Sequence, residues 1–235
     1  MDWDSLIALD RQLLLLTNGS SSLYFDALVK ILTTAATWIP LYVSLFYVVL
    51  KNNDTGGRII SIVACAGICV LLAGTIDDGI VKPVVARWRP SHDPVIGTLV
   101  DTVNGHRGGN YGFFSAHASN TFSIAVFFSL LIRSRLLTVS LVLWSFVNCW
   151  TRLYLGVHFP GDILCGLLWG GFVGTMVYFG YTRLAYSVLG VKKTRYVSEQ
   201  YTSTGYERND ANIVVLVLVL TLLYALIRSC YFIYV

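Results

Sequence analysis

Apolar residues in this chain come in long unbroken runs, not in stripes or alternations. Five runs cover residues 26–50, 59–81, 116–132, 136–150 and 163–184, and a sixth covers 213–235. A helix rises about 1.5 Å per residue, so crossing a hydrocarbon core of about 30 Å takes roughly 20 residues. The runs at 116–132 and 136–150 fall short of that unless their helices continue into polar flanks. None alternates with the period of two that marks a barrel strand, and a helix closes its backbone hydrogen bonds within itself. The pattern predicts an all-α fold, a polytopic transmembrane bundle of about six spans.

Residues 1–25 read differently. Trp3, Leu6, Ile7, Leu13 and Leu14 recur at helical spacing, with Asp2, Asp4, Asp10 and Arg11 at other positions. The stretch is too short to span and lacks the basic start and small-residue cleavage site of a signal peptide. It predicts an amphipathic helix lying in the membrane interface and ending near Asn18-Gly19. The expected organisation is an interfacial segment at 1–25, a membrane core at 26–187, a polar cytoplasmic link at 188–210 and a C-terminal transmembrane helix at 211–235.

Composition removes the alternatives. Of 235 residues, 55% are hydrophobic and 13% charged, and mean hydropathy is +0.65. Soluble domains carry about 25% charged residues, so this chain cannot coat a water-soluble globule, a disordered protein or a disulfide scaffold. The five cysteines, Cys65, Cys69, Cys149, Cys165 and Cys230, are odd in number and lie inside apolar runs. They read as small core residues, not as disulfides or metal ligands. Nothing points to nucleic acid or to a cofactor.

Lysine and arginine set the orientation. Lys51 and Arg58 follow the first run, Arg133 and Arg135 the third, and Arg183, Lys192, Lys193, Arg195 and Arg208 the fifth. The positive-inside rule puts these connections in the cytoplasm. The opposite side then receives the long 82–115 connection and the turn at 158–162, and with them Lys82, Arg87, Arg89, Arg107, Arg152 and all four histidines, His92, His106, His117 and His158. A cationic, histidine-bearing surface at the membrane interface is costly to build unless an anion binds there. Phosphate is the natural candidate, because arginine presents a planar fork to its oxygens and lysine a point charge.

Three strings shape the site. Lys82 and Arg89-Pro90 are seven apart, nearly two helical turns, which would aim both cations from one helix face. Ser115-Ala116-His117 opens the third run, where a helix N-terminus offers N–H groups to an anion. Arg152, His158 and Asp162 close the set, the carboxylate four residues past the imidazole and able to hold one ring nitrogen while the other attacks. Asp77 and Asp78 are expected to pair with Lys82, Arg87 or Arg107. Asn120, Thr121 and Asn148 are expected to hydrogen-bond between helices.

The three strings resemble the signature of the type 2 phosphatidic acid phosphatase superfamily: Lys-x6-Arg-Pro, Pro-Ser-Gly-His and Ser-Arg-x5-His-x3-Asp. Lys82 to Pro90 fits without exception. Phe114 and Ala116 stand where the family has proline and glycine, and Thr151 where it has serine. The resemblance implies a metal-independent phosphatase without a cofactor. His158 would attack phosphorus to form a phosphohistidine, Asp162 would fix its tautomer, and His117 would protonate the leaving oxygen. Lys82, Arg89, Ser115 and Arg152 would bind phosphate. His92, His106 and Arg107 are possible headgroup contacts. The implied partner is a membrane lipid in the bilayer: undecaprenyl pyrophosphate, a lipid A phosphate, phosphatidylglycerol phosphate or phosphatidic acid. The expected location is a bacterial inner membrane, with the site on the periplasmic face. A lipid phosphotransferase using the same residues, or a non-catalytic transporter or lipid-binding protein, are the alternatives.

Overall fold

The computed structural model describes residues 2–190 and 198–231. Lys192, Lys193 and Arg195, counted above for topology, lie outside the described residues, as does the end of the last apolar run at 232–235. Eight helices are present among the described residues: α1 Trp3–Thr17, α2 Leu23–Thr33, α3 Ile39–Lys51, α4 Gly56–Val85, α5 Ala116–Ile132, α6 Arg135–Tyr154, α7 Pro160–Ser187 and α8 Arg208–Tyr231. Four of them, α4, α6, α7 and α8, are long and apolar enough to cross a bilayer. The bent pair α2–α3 makes a fifth, so the described residues hold four or five candidate spans and not the six or so expected; α5, with 17 residues, is apolar but shorter. Of the two runs that looked short, the one at 136–150 draws on its flanks, since α6 extends from Arg135 to Tyr154, whereas α5 keeps the bounds of its run, Ala116–Ile132.

The first apolar run is not one helix, as the pattern predicted. It breaks at Thr34, and the two halves meet at 67°. Extended backbone at Thr34 (ψ 123°) interrupts the ladder, and the carbonyls it strands are taken up by side chains. Thr34 Oγ1 donates to the Lys30 carbonyl, Thr37 Oγ1 to that of Ile31 and Trp38 Nε1 to that of Leu32, at 2.8, 2.6 and 2.9 Å. A break at membrane depth survives when neighbouring polar side chains satisfy the freed groups. Pro40, in the first turn of α3, costs no hydrogen bond there.

Helix α5 is the centre, packed against α4, α6 and α7. Its closest approach is to α7, where Gly166, Gly170 and Gly174 lie on the backbone of Ser115, Ser119 and Ser123. A side chain at Gly170 would place its Cβ 2.4 Å from the Ser119 carbonyl oxygen. Small residues every fourth position let membrane helices touch backbone to backbone. Gly170→Ala is therefore expected to cost about 1–3 kcal/mol and lower the melting temperature in detergent. Gly67→Ala, where nothing lies within 4 Å, should not lower it; equal melting of the two variants would refute the packing argument. Polar contacts join the same helices: Thr121 Oγ1 meets Ser145 Oγ of α6 at 2.8 Å, and Asn120 packs on Gly74 of α4. Asn148 departs from expectation by donating to the Trp144 carbonyl within its own helix.

The outer surface of the bundle is apolar. Leu164, Leu168, Phe172, Met176 and Phe179 are exposed along one face of α7, as are Leu216, Leu220, Leu223 and Ile227 along α8. A continuous apolar belt of this size suits lipid, not water. The molecule is an integral membrane protein. Cys230 lies on this surface, unlike buried Cys69 and Cys149. At one end, Asp210 receives Lys51 and Asn52 at 2.9 Å each. At the other, Tyr24 Oη donates to the Leu226 carbonyl. Helix α8 therefore runs the whole length of the bundle.

Helix α1 lies against α6 and α7 at this second end. Its face toward the protein is Asp10, Arg11 and Leu14, while Trp3, Leu6, Ile7, Leu13 and Leu16 are exposed. The two most central charges of the segment point inward, and the apolar side is what it offers to the surroundings.

Candidate functional site

The cations of the first string reach the site by two routes, not from one helix face. Helix α4 ends at Val85 because Ala86 adopts the left-handed region (φ 49°). The chain then extends and pairs with residues 110–112: the Arg89 amide donates to Asn110, the Gly112 amide to Arg87, both at 2.9 Å, and Trp88 bridges Tyr111. Side chains alternate along extended backbone. Trp88 stacks on Tyr111 on one side, and Arg87 and Arg89 both project to the other. Lys82 stays on α4, where a π-helical turn at Asp77–Val81 precedes it. It pairs with Asp77 Oδ2 at 2.8 Å and also with Asp78. The two aspartates thus serve Lys82, not Arg87 or Arg107. Asp77 also accepts the Phe114 amide at 3.0 Å, tying α4 to the entrance of α5.

His158 and Asp162 sit on the turn that joins α6 to α7 and on the first turn of α7. Both are buried. Asp162 is held three ways: Oδ2 accepts the Phe159 amide at 2.9 Å, Oδ1 accepts Arg87 Nη1 at 2.7 Å, and its carbonyl accepts the Ser115 amide at 3.1 Å. His158 Nδ1 stands 3.6 Å from Asp162 Oδ2, slightly beyond hydrogen-bond length. Its Nε2 lies 3.3 Å from Arg89 Nη1. The imidazole thus has a carboxylate behind it and a guanidinium in front. Gly112 leaves room for this arrangement, because a Cβ there would fall 3.0 Å from Arg89 Cγ and 3.5 Å from His158 Nδ1.

Arg152 comes from the last turn of α6. Its Nη1 donates to Thr33 Oγ1 at 2.5 Å, and its buried Nε has no hydrogen-bond partner. Arg89 donates to the carbonyls of Tyr111 and Val157, at 3.1 Å each. Among the described residues neither guanidinium forms an ion pair. Two adjacent arginines without carboxylates, one of them buried, are an arrangement that only an anion completes. His117, at the second position of α5, is exposed and within electrostatic range of Arg152, His158, Lys82 and Arg89. Ser115 is the N-cap of α5, accepting the Ala118 amide at 3.4 Å. Its own amide is committed to Asp162. Of the possible headgroup contacts, His92 is partly buried beside Ser91 Oγ, and His106 and Arg107 are exposed. Among the described residues no side-chain hydrogen bond or ion pair joins these three to the His158 cluster; His92 is tied to it only through its backbone amide, which donates to the Arg89 carbonyl at 2.9 Å. Among the described residues, no group of three or more His, Cys, Asp or Glu is placed to hold a metal ion.

Burial pushes the His158 imidazole down to about 4, with Arg89 and Arg152 adding to that and Asp162 opposing it. The ring is neutral at pH 7 and has a lone pair to offer. The ¹⁵N resonances of His158 should stay those of a neutral ring as pH falls to 5 and change only near 4. Titration near the ordinary 6.5 would contradict the burial described. Burial also lowers Arg89. Arg87 feels the same penalty, but Asp162 and Asp10 outweigh it and its net shift is upward.

Sequence reasoning gave Asp10 no part in the site and counted Arg87 only among the cations of this face. Arg87 bridges two carboxylates, Asp162 Oδ1 at 2.7 Å and Asp10 Oδ2 at 2.5 Å, and stacks on the Phe159 ring. Asp10 Oδ1 also accepts the Gly161 amide at 2.7 Å. A helix outside the signature thus braces the loop carrying His158 and Asp162. The available signal was that Asp10 falls in helical register with Leu6, Ile7, Leu13 and Leu14, a carboxylate on the apolar stripe of the N-terminal helix. Asp10→Asn removes a charge from Arg87 and keeps one of the two hydrogen bonds at most, because its amide nitrogen donates and both partners, Arg87 and the Gly161 amide, are donors. It should lower kcat about tenfold with KM little changed, since it perturbs positioning and not binding; an unaltered kcat would make the contact merely structural.

Comparison with known proteins bears on the family. The profile of the PAP2 superfamily matches residues 58–185. The chain is 42% identical over 172 residues to the lipid A 4'-phosphatase of Bacteroides thetaiotaomicron, covering 73% of this chain and 76% of the relative. It is 33% identical over 175 residues to the lipid A 4'-phosphatase of Porphyromonas gingivalis, covering 74% and 73%. A decaprenylphosphoryl-5-phosphoribose phosphatase of Mycobacterium tuberculosis is 36% identical over 98 residues, 42% of this chain and 50% of the relative. No solved structure matches. A profile that spans more than half of the chain, two long relatives and the arrangement of Lys82, Arg89, Ser115, His117, Arg152, His158 and Asp162 at one end of the bundle lead to one assignment: this chain belongs to the PAP2 superfamily.

Proposed function

We propose that the protein is a lipid phosphatase that removes the 4'-phosphate of lipid A through a phosphohistidine on His158, at the periplasmic face of a bacterial inner membrane. The observation that carries the reading is the position of His158 Nε2, 3.3 Å from Arg89 Nη1, with Asp162 on the opposite side of the ring and neither Arg89 nor Arg152 neutralised. A phosphate between His158 and these arginines would find donors for its oxygens and a nucleophile aimed at phosphorus.

In the first step Nε2 forms a bond to phosphorus as the P–O bond to the sugar breaks. His117, on the open side, delivers a proton to the departing oxygen. Asp162 accepts Nδ1–H and stabilises the imidazolium that forms. In the second step His117 takes a proton from water, whose oxygen attacks phosphorus and releases His158 with inorganic phosphate. Arg89, Arg152 and Lys82 hold the equatorial oxygens and neutralise their charge in both transition states, so protein cations serve where other phosphatases use metal ions. Lys82 does so from a pair with Asp77 and Asp78, and a phosphate must compete with them for it.

The names of the two long relatives support the substrate, and the basic connections at the opposite end of the bundle support the orientation. The test is phosphate release in detergent with chelator present, from lipid A, undecaprenyl pyrophosphate, phosphatidylglycerol phosphate and phosphatidic acid. The reading predicts the highest kcat/KM on lipid A and loss of the 4'-phosphate in the product. Preference for another lipid would overturn the substrate, and dependence on added magnesium would overturn the chemistry.

A further inference from the structure

Beside the His158 cluster lies a groove that the reaction does not use. Two adjoining cavities, of about 330 and 340 Å³, share Lys30, Thr34 and Asn104. The groove follows α2 along the face that carries Asp26, Lys30 and Thr34, spaced at four residues. One end is lined by Thr33, the residue that accepts Arg152 Nη1. The other end reaches Arg228 of α8. The break at Thr34 is what turns α2 away from α3 and opens this face.

Its charge is what points to a ligand. Lys30 and His106 are exposed on its walls, and among the described residues the Lys30 ammonium has no hydrogen-bond or ion-pair partner. The one carboxylate in the lining, Asp26, accepts a hydrogen bond from Tyr154 Oη at 2.7 Å. The size falls at the lower end of small-molecule pockets, about 300 Å³ and upward.

We propose that this groove binds a second anionic group on the headgroup of the same lipid whose phosphate is cleaved at His158, with Lys30 and His106 as its contacts. The inference rests on the proposed phosphatase reading and deepens it: the enzyme selects lipids that carry a second phosphate beyond the scissile one.

The experiment compares kcat/KM for a lipid A bearing two phosphates with one bearing only the 4'-phosphate, in uncharged detergent without other lipid. Wild type should prefer the doubly phosphorylated lipid about tenfold, the worth of one charge-assisted contact. Lys30→Ala should bring that ratio toward one, and Lys30→Arg should keep it. Lys30 is exposed, so the alanine variant should elute as a monodisperse protein like wild type. A wild-type ratio near one, or a ratio unchanged in a Lys30→Ala/His106→Ala double variant, overturns the proposal. Dependence of the Lys30 effect on added phosphatidylglycerol would assign the groove to a neighbouring lipid and overturn it too. Failure of wild type to cleave either lipid would instead sink the phosphatase reading on which the proposal stands.

Discussion

His158→Ala is expected to abolish phosphate release, by at least about ten-thousandfold in kcat, because the nucleophile of a two-step displacement has no substitute. The loss should appear without a loss of fold. His158 is buried, but its neighbours are Arg89, Asp162 and Gly112 rather than the apolar core, and Asp162 keeps its bonds to Arg87 and to the Phe159 amide. Lipid binding should persist for the same reason, since Arg89 and Arg152 remain. The measurement is phosphate release from purified protein beside a binding assay with the intact lipid. Residual turnover within about tenfold of wild type would mean that water attacks directly and His158 only shapes the site.

Arg152→Leu should lower kcat/KM by about a hundred- to a thousandfold and, against the usual direction of core substitutions, should leave the protein as stable or more stable. Removing one donor from a transition-state clamp costs about 3–4 kcal/mol. Yet the Arg152 guanidinium is buried with a single hydroxyl partner and an unpartnered Nε, close enough to Arg89 for the two charges to repel. Replacing even a paired set of buried charges by hydrophobic side chains is often neutral or stabilising by about 1–4 kcal/mol, and Arg152 leaves no partner charge behind. A melting curve in detergent, run beside the kinetic assay, should show activity and stability moving apart. A marked fall in melting temperature would mean that Arg152 is there to hold α6 against α2.

The opposite signs follow from how the site is made, and the same logic explains which parts were legible in sequence. Unbroken apolar runs expose the spans directly, since nothing but a bilayer selects for them. The spacing from His158 to Asp162 survives translation into structure because both residues lie in one turn and helix start, where four residues fix a distance. Lys82 and Arg89 also come to the same end of the bundle, but the helical spacing that predicted it did not hold. Ala86 stops the helix, and it is the two-residue alternation of Arg87 and Arg89 that aims them. That alternation depends on pairing with residues 110–112, a long-range contact no local pattern carries.

Three other features were hidden for the same reason. The break in the first span costs hydrogen bonds locally, and only the placement of Thr34, Thr37 and Trp38 repays them. The close approach of α5 and α7 reads in sequence as scattered glycines until the helices are face to face. Asp10 belongs to a segment outside the signature, and its value arises from Arg87 and Gly161, more than seventy positions away. Spacing reveals groups that share an element, whereas bracing across elements shows only in three dimensions.

The most direct measurement is to mix the enzyme with lipid labelled in its scissile phosphate, quench into alkali within milliseconds, and map the label. Phosphohistidine survives alkali, and the proposed mechanism predicts a burst of label on His158 alone, absent in His158→Ala and longer-lived in His117→Ala. Label on another residue, or steady release of phosphate with no labelled protein at any time, would contradict it.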